Sequence, residues 1–261
     1  MIKKLLRFKI PVFTLGSIIG LIILWEPLYL FVSLLSYFLL AIVGHFIGLH
    51  RYYSHSSFEC NKPMEYFIWL CSFMSGMGEP IGYSQVHIRH HIHSDTPKDL
   101  LHPTTHPFMT WIGQGYLYSE YIDHSKVPIN KRLICNKFYL FVNKHYIKLY
   151  YTFLLLCALC SLNFTLYFLI IGVTLSSHSA HLVNILCHKY GSRNFNTKDY
   201  STNLRWVNWI TLGTGLHNNH HAFPYSYTHK IKETEQDLSA WIIKNVLATN
   251  VVNVNRKKYD K

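Results

Sequence analysis

The chain has 261 residues, 49% hydrophobic and 16% aromatic, with 25 Lys+Arg against 13 Asp+Glu and a formal charge of +12. That length fits one large domain or two small ones. No Lys or Arg lies between Lys9 and Arg51 or between Lys148 and Lys189. The charge is therefore banded as in a membrane protein with its large loops on one side. No basic stripe interleaves with aromatics, which excludes a nucleic-acid partner.

Residues 1–9 read as a basic cytoplasmic tail. Residues 10–49 are apolar apart from Glu26, His45 and a few small polar groups. A spanning helix needs roughly 20 residues, so this stretch is expected to hold two spans, 10–26 and 28–49, turning at Trp25-Glu26-Pro27. Without a small-residue cleavage site, the start is expected to be a retained anchor rather than a signal peptide. The second span returns to the starting side and delivers His50 and His55. Residues 64–78 are apolar but too short to cross, and are expected to lie in the interface or under the cap. His87, His90 and His91 follow, then a loop with short helices over 95–132. Residues 147–187 contain no acidic residue and are expected to hold two more spans, 147–162 and 164–187. These deliver Asn184 and His188 to the side that carries the other histidines. Residues 233–248 have apolar positions at helical spacing, which predicts a terminal amphipathic helix, with the last dozen residues frayed. The six cysteines suggest no disulfide framework, and Cys157-x-x-Cys160 in an apolar run reads as packing.

The expected architecture is all-α, one domain over 1–261. Four transmembrane helices form two hairpins, and a helical cytoplasmic cap (50–146 and 188–250) holds a histidine-rich di-metal site. Both termini are expected in the cytoplasm.

The cap carries the chemistry. Residues 213–224 read Gly-Thr-Gly-Leu-His-Asn-Asn-His-His-Ala-Phe-Pro. His217, His220 and His221 stand at i, i+3 and i+4, which places all three on one face of a helix, converging on one point. His87, His90 and His91 repeat that spacing. Asn184 and His188 are four apart. His50 and His55 are five apart, about 140° on an ideal helix, so they serve different ions or the helix loosens between them. Nine histidines exceed what one first-row metal ion takes, and two ions with four or five imidazoles each is the natural count. Asn184 would then be a weaker ligand or act through a water. All-imidazole donors suit Zn, Cu, Fe or Ni, while structural zinc favours cysteine in the set. A dinuclear iron site can reduce O2 and store the oxidising equivalents that break an unactivated C–H bond. Asp95 and Asp99 are either acceptors for imidazole N–H groups or ordinary loop carboxylates. His178 and His181 lie in the fourth span, where ionisable groups usually face a cavity, and His181 shares a face with Asn184 and His188.

The three boxes, His50-x4-His55, His87-x2-His90-His91 and His217-Asn-Asn-His220-His221, resemble those of the integral-membrane fatty acyl desaturases. The contexts GLHRYYSH, HIRHHIHSDTPKD, NILCHKYGSRNF and GTGLHNNHHAFP are similar to the stearoyl-CoA (Δ9) branch, in a short bacterial-type form. The resemblance runs from about residue 40 to about residue 245. It implies that the nine histidines ligate two Fe2+ ions, that Asn184 contacts one of them through water, and that O2 is the co-substrate. Zinc would load into the same site on overexpression. It also implies four membrane helices as a stem, a cytoplasmic cap, and a kinked acyl tunnel, for which Phe38, Ile42 and Phe46 on the second span are candidate walls. Two departures stand out: Gly213-Thr214-Gly215 replaces a common Gly-Glu-Gly, and Asp99-Leu100 replaces Asp-Pro. The expected partners are a fatty acyl thioester, the lipid bilayer and a separate electron donor (ferredoxin, rubredoxin, or cytochrome b5 with its reductase). The expected location is a bacterial inner membrane. A membrane hydroxylase with similar boxes and a non-catalytic histidine-rich metal-binding protein remain as alternatives.

Overall fold

The computed structural model describes residues 9–99, 101, 107–111 and 128–253. The basic tail before Lys9, most of the expected 95–132 loop and residues 254–261 lie outside the described residues. The chain is mostly helical. α1 (Lys9–Ile23) ends before Glu26, which is extended, and Pro27 opens α2 (Pro27–Ser54). The expected turn at Trp25-Glu26-Pro27 is held in place: Glu26 N donates to Tyr167 Oη at 2.7 Å, and Tyr167 Oη donates to Leu24 O at 2.9 Å. Tyr167 belongs to α8 (Leu162–Leu186), so the first hairpin is tied to the last long helix.

α2 and α8 are long and apolar enough to cross a membrane, and they are the two such helices among the described residues. This is narrower than the four spans expected. α1 is apolar but covers 15 residues. The third expected span, 147–162, is part of α7 (Lys137–Cys160), which starts ten residues earlier. That added length brings in Lys137, Lys144 and His145, so α7 is polar at one end and apolar at the other.

Small residues set the helix spacing. A Cβ on Gly172 would lie 3.0 Å from Leu40 Cδ1 and closer still to Ser36, so α8 crosses α2 at near contact. Ser33 Oγ donates to Tyr167 O there at 2.9 Å. Gly44 plays the same part between α2 and α3 (Lys62–Met74), where a Cβ would sit 2.3 Å from Cys71 O. Such close approach is how helices pack when apolar burial alone does not distinguish lipid from protein. α3 is the segment expected to lie under the cap. Asn61 caps it, accepting from Met64 N at 3.0 Å.

The core gathers on α2, with Ile42, Ile47 and Tyr53 packed among Ile68, Val183 and Ile243. Large apolar side chains such as Ile22, Phe31, Leu34 and Leu159 face outward. The terminal helix, expected over 233–248, spans Leu238–Leu247 (α11). Asp237 fixes its start by accepting from Ala240 N at 2.9 Å, and the residues before it form turns instead. At the start of the end expected to fray, Asn250–Val251 instead pairs antiparallel with Phe58–Glu59.

Candidate metal centre

α2 is α-helical over Leu30–Ser36 and then π-wound over Tyr37–Ser54, and His55 N continues the i→i+5 pattern by donating to His50 O at 3.2 Å. In that winding, residues five apart stand one turn apart. His50 and His55 therefore share a face, with ring centroids 5.0 Å apart. This resolves the open alternative of the H-x4-H spacing in favour of a loosened helix. α4 (Pro80–His93) carries the second box, and Glu79 caps it by accepting from Ile81 N at 2.8 Å. α10 (His217–Ala222) carries the third.

The nine histidines form two groups. His50, His55, His87, His91 and His220 make one, and His90, His188, His217 and His221 the other; within each, the ligand atoms lie within 4.8 Å of one another. Neither triplet converges on a single point, contrary to expectation. In each, the i and i+4 residues serve one group and the i+3 residue serves the other. The i+3 and i+4 positions differ by about 100° around a helix, which is enough to address two neighbouring centres. Each triplet therefore bridges both groups.

The nitrogens face inward. His50 Nε2 is 2.9 Å from His220 Nε2, His55 Nε2 is 2.7 Å from His87 Nε2, and His91 Nε2 is 3.1 Å from His87 Nε2. In the second group His188 Nε2 is 3.0 Å from His217 Nε2. Metal–imidazole bonds of about 2.1 Å at right angles put neighbouring nitrogens about 3.0 Å apart. The donor set therefore fits two first-row ions, one with five imidazoles and one with four.

Electrostatics keep the lone pairs free. Burial, reinforced by the neighbouring imidazoles, pushes His87, His91, His217 and His220 well below the ordinary imidazole value. Burial lowers His55 to about 3. Burial also lowers His221 to about 4, although Asp199 opposes it. His90 goes the other way: burial disfavours its charged form, but the Asp99 carboxylate outweighs that.

Both expected carboxylates reach ring nitrogens. His188 Nδ1 lies 2.9 Å from Asp95 Oδ2, and His90 Nδ1 lies 2.9 Å from Asp99 Oδ2. Asp99 keeps this contact although Leu, not Pro, follows it. Asp199 is a third such residue that the sequence did not flag, with Oδ2 2.7 Å from His221 Nδ1. Burial pulls its carboxyl upward, but hydrogen bonds from His221, Ser201 and Thr197 hold it well below the usual range. It sits in a polar stretch with no diagnostic spacing. His181 is buried on α8 and belongs to neither group. Asn184 is buried on that helix, four residues before His188, which lies in the turn just past its end. Ile42 and Phe46 are buried in the core around α2, whereas Phe38 is 38% exposed.

Other residues support the site. The Asn-Asn of the third box fixes α10. Asn218 Oδ1 accepts from Asn194 N and Phe195 N, both at 2.8 Å, and Asn219 Nδ2 donates to His229 O at 2.9 Å. Arg51, beside His50, is buried and ion-paired with buried Asp237 at 3.1 Å. Gly213 takes φ +133, and a Cβ there would lie 2.0 Å from Asp237 Oδ1, so glycine is required at that turn. Thr214, the departure between the two glycines, is buried. His229, which stands in no box and at no telling spacing, packs its ring 4.6 Å from that of His220. His45 continues the five-residue stripe of His50 and His55, and its Nε2 lies 2.9 Å from Tyr83 Oη.

The fatty acid desaturase family model matches residues 25–249. The chain is 35% identical over 234 residues to an sn-1 stearoyl-lipid 9-desaturase of Anabaena variabilis, covering 87% of this chain and 85% of that one. It is 31% identical over 218 residues to Delta-9 acyl-lipid desaturase 1 of Arabidopsis thaliana, covering 80% and 70%. It is 31% identical over 242 residues to an icosanoyl-CoA 5-desaturase of Limnanthes douglasii, covering 87% and 65%. Together with the two histidine groups, these likenesses establish that the chain belongs to the fatty acid desaturase family.

Proposed function

We propose that this desaturase inserts a cis double bond at the Δ9 position of a saturated acyl chain, using two irons held by the nine histidines. The division of those histidines into five and four, with their Nε2 atoms at metal-compatible spacing, carries this reading. Bound there, two irons would supply O2 reduction and the oxidising power to remove two hydrogens from adjacent methylenes. The balance is acyl chain + O2 + two electrons + two protons giving alkene and two waters.

The protein's own part is position. The Nε2 atoms would hold the metals, and Asp95, Asp99 and Asp199 accept from Nδ1–H of His188, His90 and His221 and fix the ring tautomers. Asn184, four residues before His188, would reach one of the metals through a water. Ile42 and Phe46, on α2 below His50, bound the acyl chain and set which methylenes meet the metals. His181 lines the same channel from α8.

The chain is read as a multi-pass protein of the bacterial inner membrane. α1, α2, α7 and α8 form two hairpins, the termini lie in the cytoplasm, and the cap is a single unit with the stem. Electrons come from a separate ferredoxin, rubredoxin or cytochrome b5, which the positive cap would attract if the donor is acidic. The acyl group is carried on a glycerolipid as the first reading, because the relatives from Anabaena and Arabidopsis quoted above are named for lipid-linked chains. An acyl-CoA thioester is the second, favoured by the sequence contexts and by the name of the Limnanthes relative.

Expression in a host lacking its own desaturase tests the reading. Methyl esters of the total lipid should show a new Δ9 cis-alkene, and His220→Ala should abolish it. A hydroxylated product would replace desaturation by hydroxylation. Pulse labelling then separates the carriers: the alkene appears first in intact lipid or first in the CoA pool.

A further inference from the structure

The two histidine groups differ in what stands behind their rings. In the four-histidine group, His90, His188 and His221 each direct Nδ1 at a carboxylate, at 2.9, 2.9 and 2.7 Å. Each carboxylate is pinned in turn. Asp99 Oδ1 accepts from Leu101 N at 2.9 Å, and Asp95 Oδ2 accepts from Tyr200 N at 2.8 Å. Asp199 Oδ1 accepts from Thr197 Oγ1 at 2.8 Å and from Ser201 N at 3.0 Å. These acceptors therefore stay ionised and aimed.

In the five-histidine group, no carboxylate stands against a ring nitrogen among the described residues. Nδ1 of His50, His55 and His220 is buried with no hydrogen-bond partner among the described residues. The fixed charge next to this group is the Arg51 guanidinium, which adjoins His50 and is neutralised by Asp237. A divalent ion in the four-histidine group would be surrounded by three negative charges, and one in the five-histidine group by none among the described residues. A carboxylate on the far ring nitrogen raises the donor strength of the ligating one, and losing such a partner typically costs 10- to 100-fold in metal affinity. The fifth imidazole adds one neutral donor, against three charges on the other side.

We infer that the two metal sites are unequal and fill in order: the four-histidine site first and tightly, the five-histidine site second and weakly. Asp199 is a positioning residue of the first. This rests on the two-metal reading above and adds a ranking to it.

The test is a Co2+ titration of metal-depleted full-length protein in detergent, read by calorimetry and by ligand-field absorption. Two steps of about one equivalent each are expected, at least tenfold apart. Asp199→Asn, which keeps a hydrogen-bond acceptor, should weaken the first step 10- to 100-fold and leave the second unmoved. His220→Ala should remove the second step and leave the first, which keeps the ranking testable should Asp199→Asn fail to fold. Two equivalents binding in one step, or Asp199→Asn weakening the second step, overturns the ranking and leaves the two-metal reading intact. Binding of fewer than two equivalents by the unmutated protein overturns the two-metal reading itself.

Discussion

Removing the charge of Asp237 should destabilise the protein more than any change at an exposed charge. Its carboxylate accepts from Arg51 Nη1 at 3.2 Å and Nη2 at 3.1 Å, from His229 N at 2.7 Å and from Ala240 N at 2.9 Å. Both side chains of the ion pair are 1% exposed. Asp237→Asn keeps an acceptor for one of the two backbone donors, since His229 N and Ala240 N bond different carboxylate oxygens, and it leaves the guanidinium buried without a counter-charge, a loss of about 3–5 kcal/mol. Asp237→Ala also removes the helix cap, for about 1 kcal/mol more. At about 2–4 °C per kcal/mol for a chain of this size, Asp237→Asn should lower Tm by about 6–20 °C. Arg51→Met combined with Asp237→Asn should recover most of the loss, because no uncompensated charge remains. Thermal unfolding in detergent, followed by tryptophan fluorescence, measures all three. An Asp237→Asn protein within about 2 °C of the parent would refute the reasoning, as would a double variant no more stable than the single one.

Metal-depleted protein should lose stability in acid. His55 and His221, lowered mainly by burial to about 3 and about 4 from 6.5, stay neutral when folded and bind protons when unfolded. Their contribution is intact above pH 6.5 and lost as pH falls below it, at about 1.4 kcal/mol per ring by pH 5.5; an unchanged Tm between pH 8 and 5.5 would contradict this. Ile42→Ala should extend the accepted chain length, since Ile42 is buried in the core, whereas Phe38→Ala should leave the product profile alone because Phe38 is exposed; gas chromatography of methyl esters decides. Gly44→Ala should cost about 1–3 kcal/mol by pushing α2 off the Cys71 carbonyl, and a neutral result in the unfolding assay would show that the two helices have slack there.

The candidate metal centre was legible because its histidines recur at helical spacings, and nine imidazoles have few other uses. What the spacing could not show was the sharing. Counting i, i+3 and i+4 as one face hides the 100° between His220 and His221, and that angle sends them to different groups. Asp95 and Asp99 were visible because they follow the second box closely. Asp199 was not, because the chain brings it to His221 through tertiary folding of a polar stretch with no period. His229 and Asp237 were hidden for the same reason. Hydropathy located the turn at Trp25-Glu26-Pro27, but it misjudged where α7 begins, since a helix continues past the apolar run that reveals it. It also started the terminal helix too early, because the side chain of Asp237, not the apolar period, sets where that helix begins.

The winding of α2 has a bearing on how such a centre changes over evolutionary time. His45, His50 and His55 line one stripe only because the hydrogen-bond ladder skips five residues instead of four. Substitutions along that stretch leave the ladder's count untouched, so its other side chains are free to drift while His50 and His55 keep their bearing. A single inserted or deleted residue between Tyr37 and His50 would instead have to be absorbed by the ladder or would turn both histidines together away from the other seven. Variation in this helix is therefore expected as exchange of residues at constant length, with length changes confined to the loops.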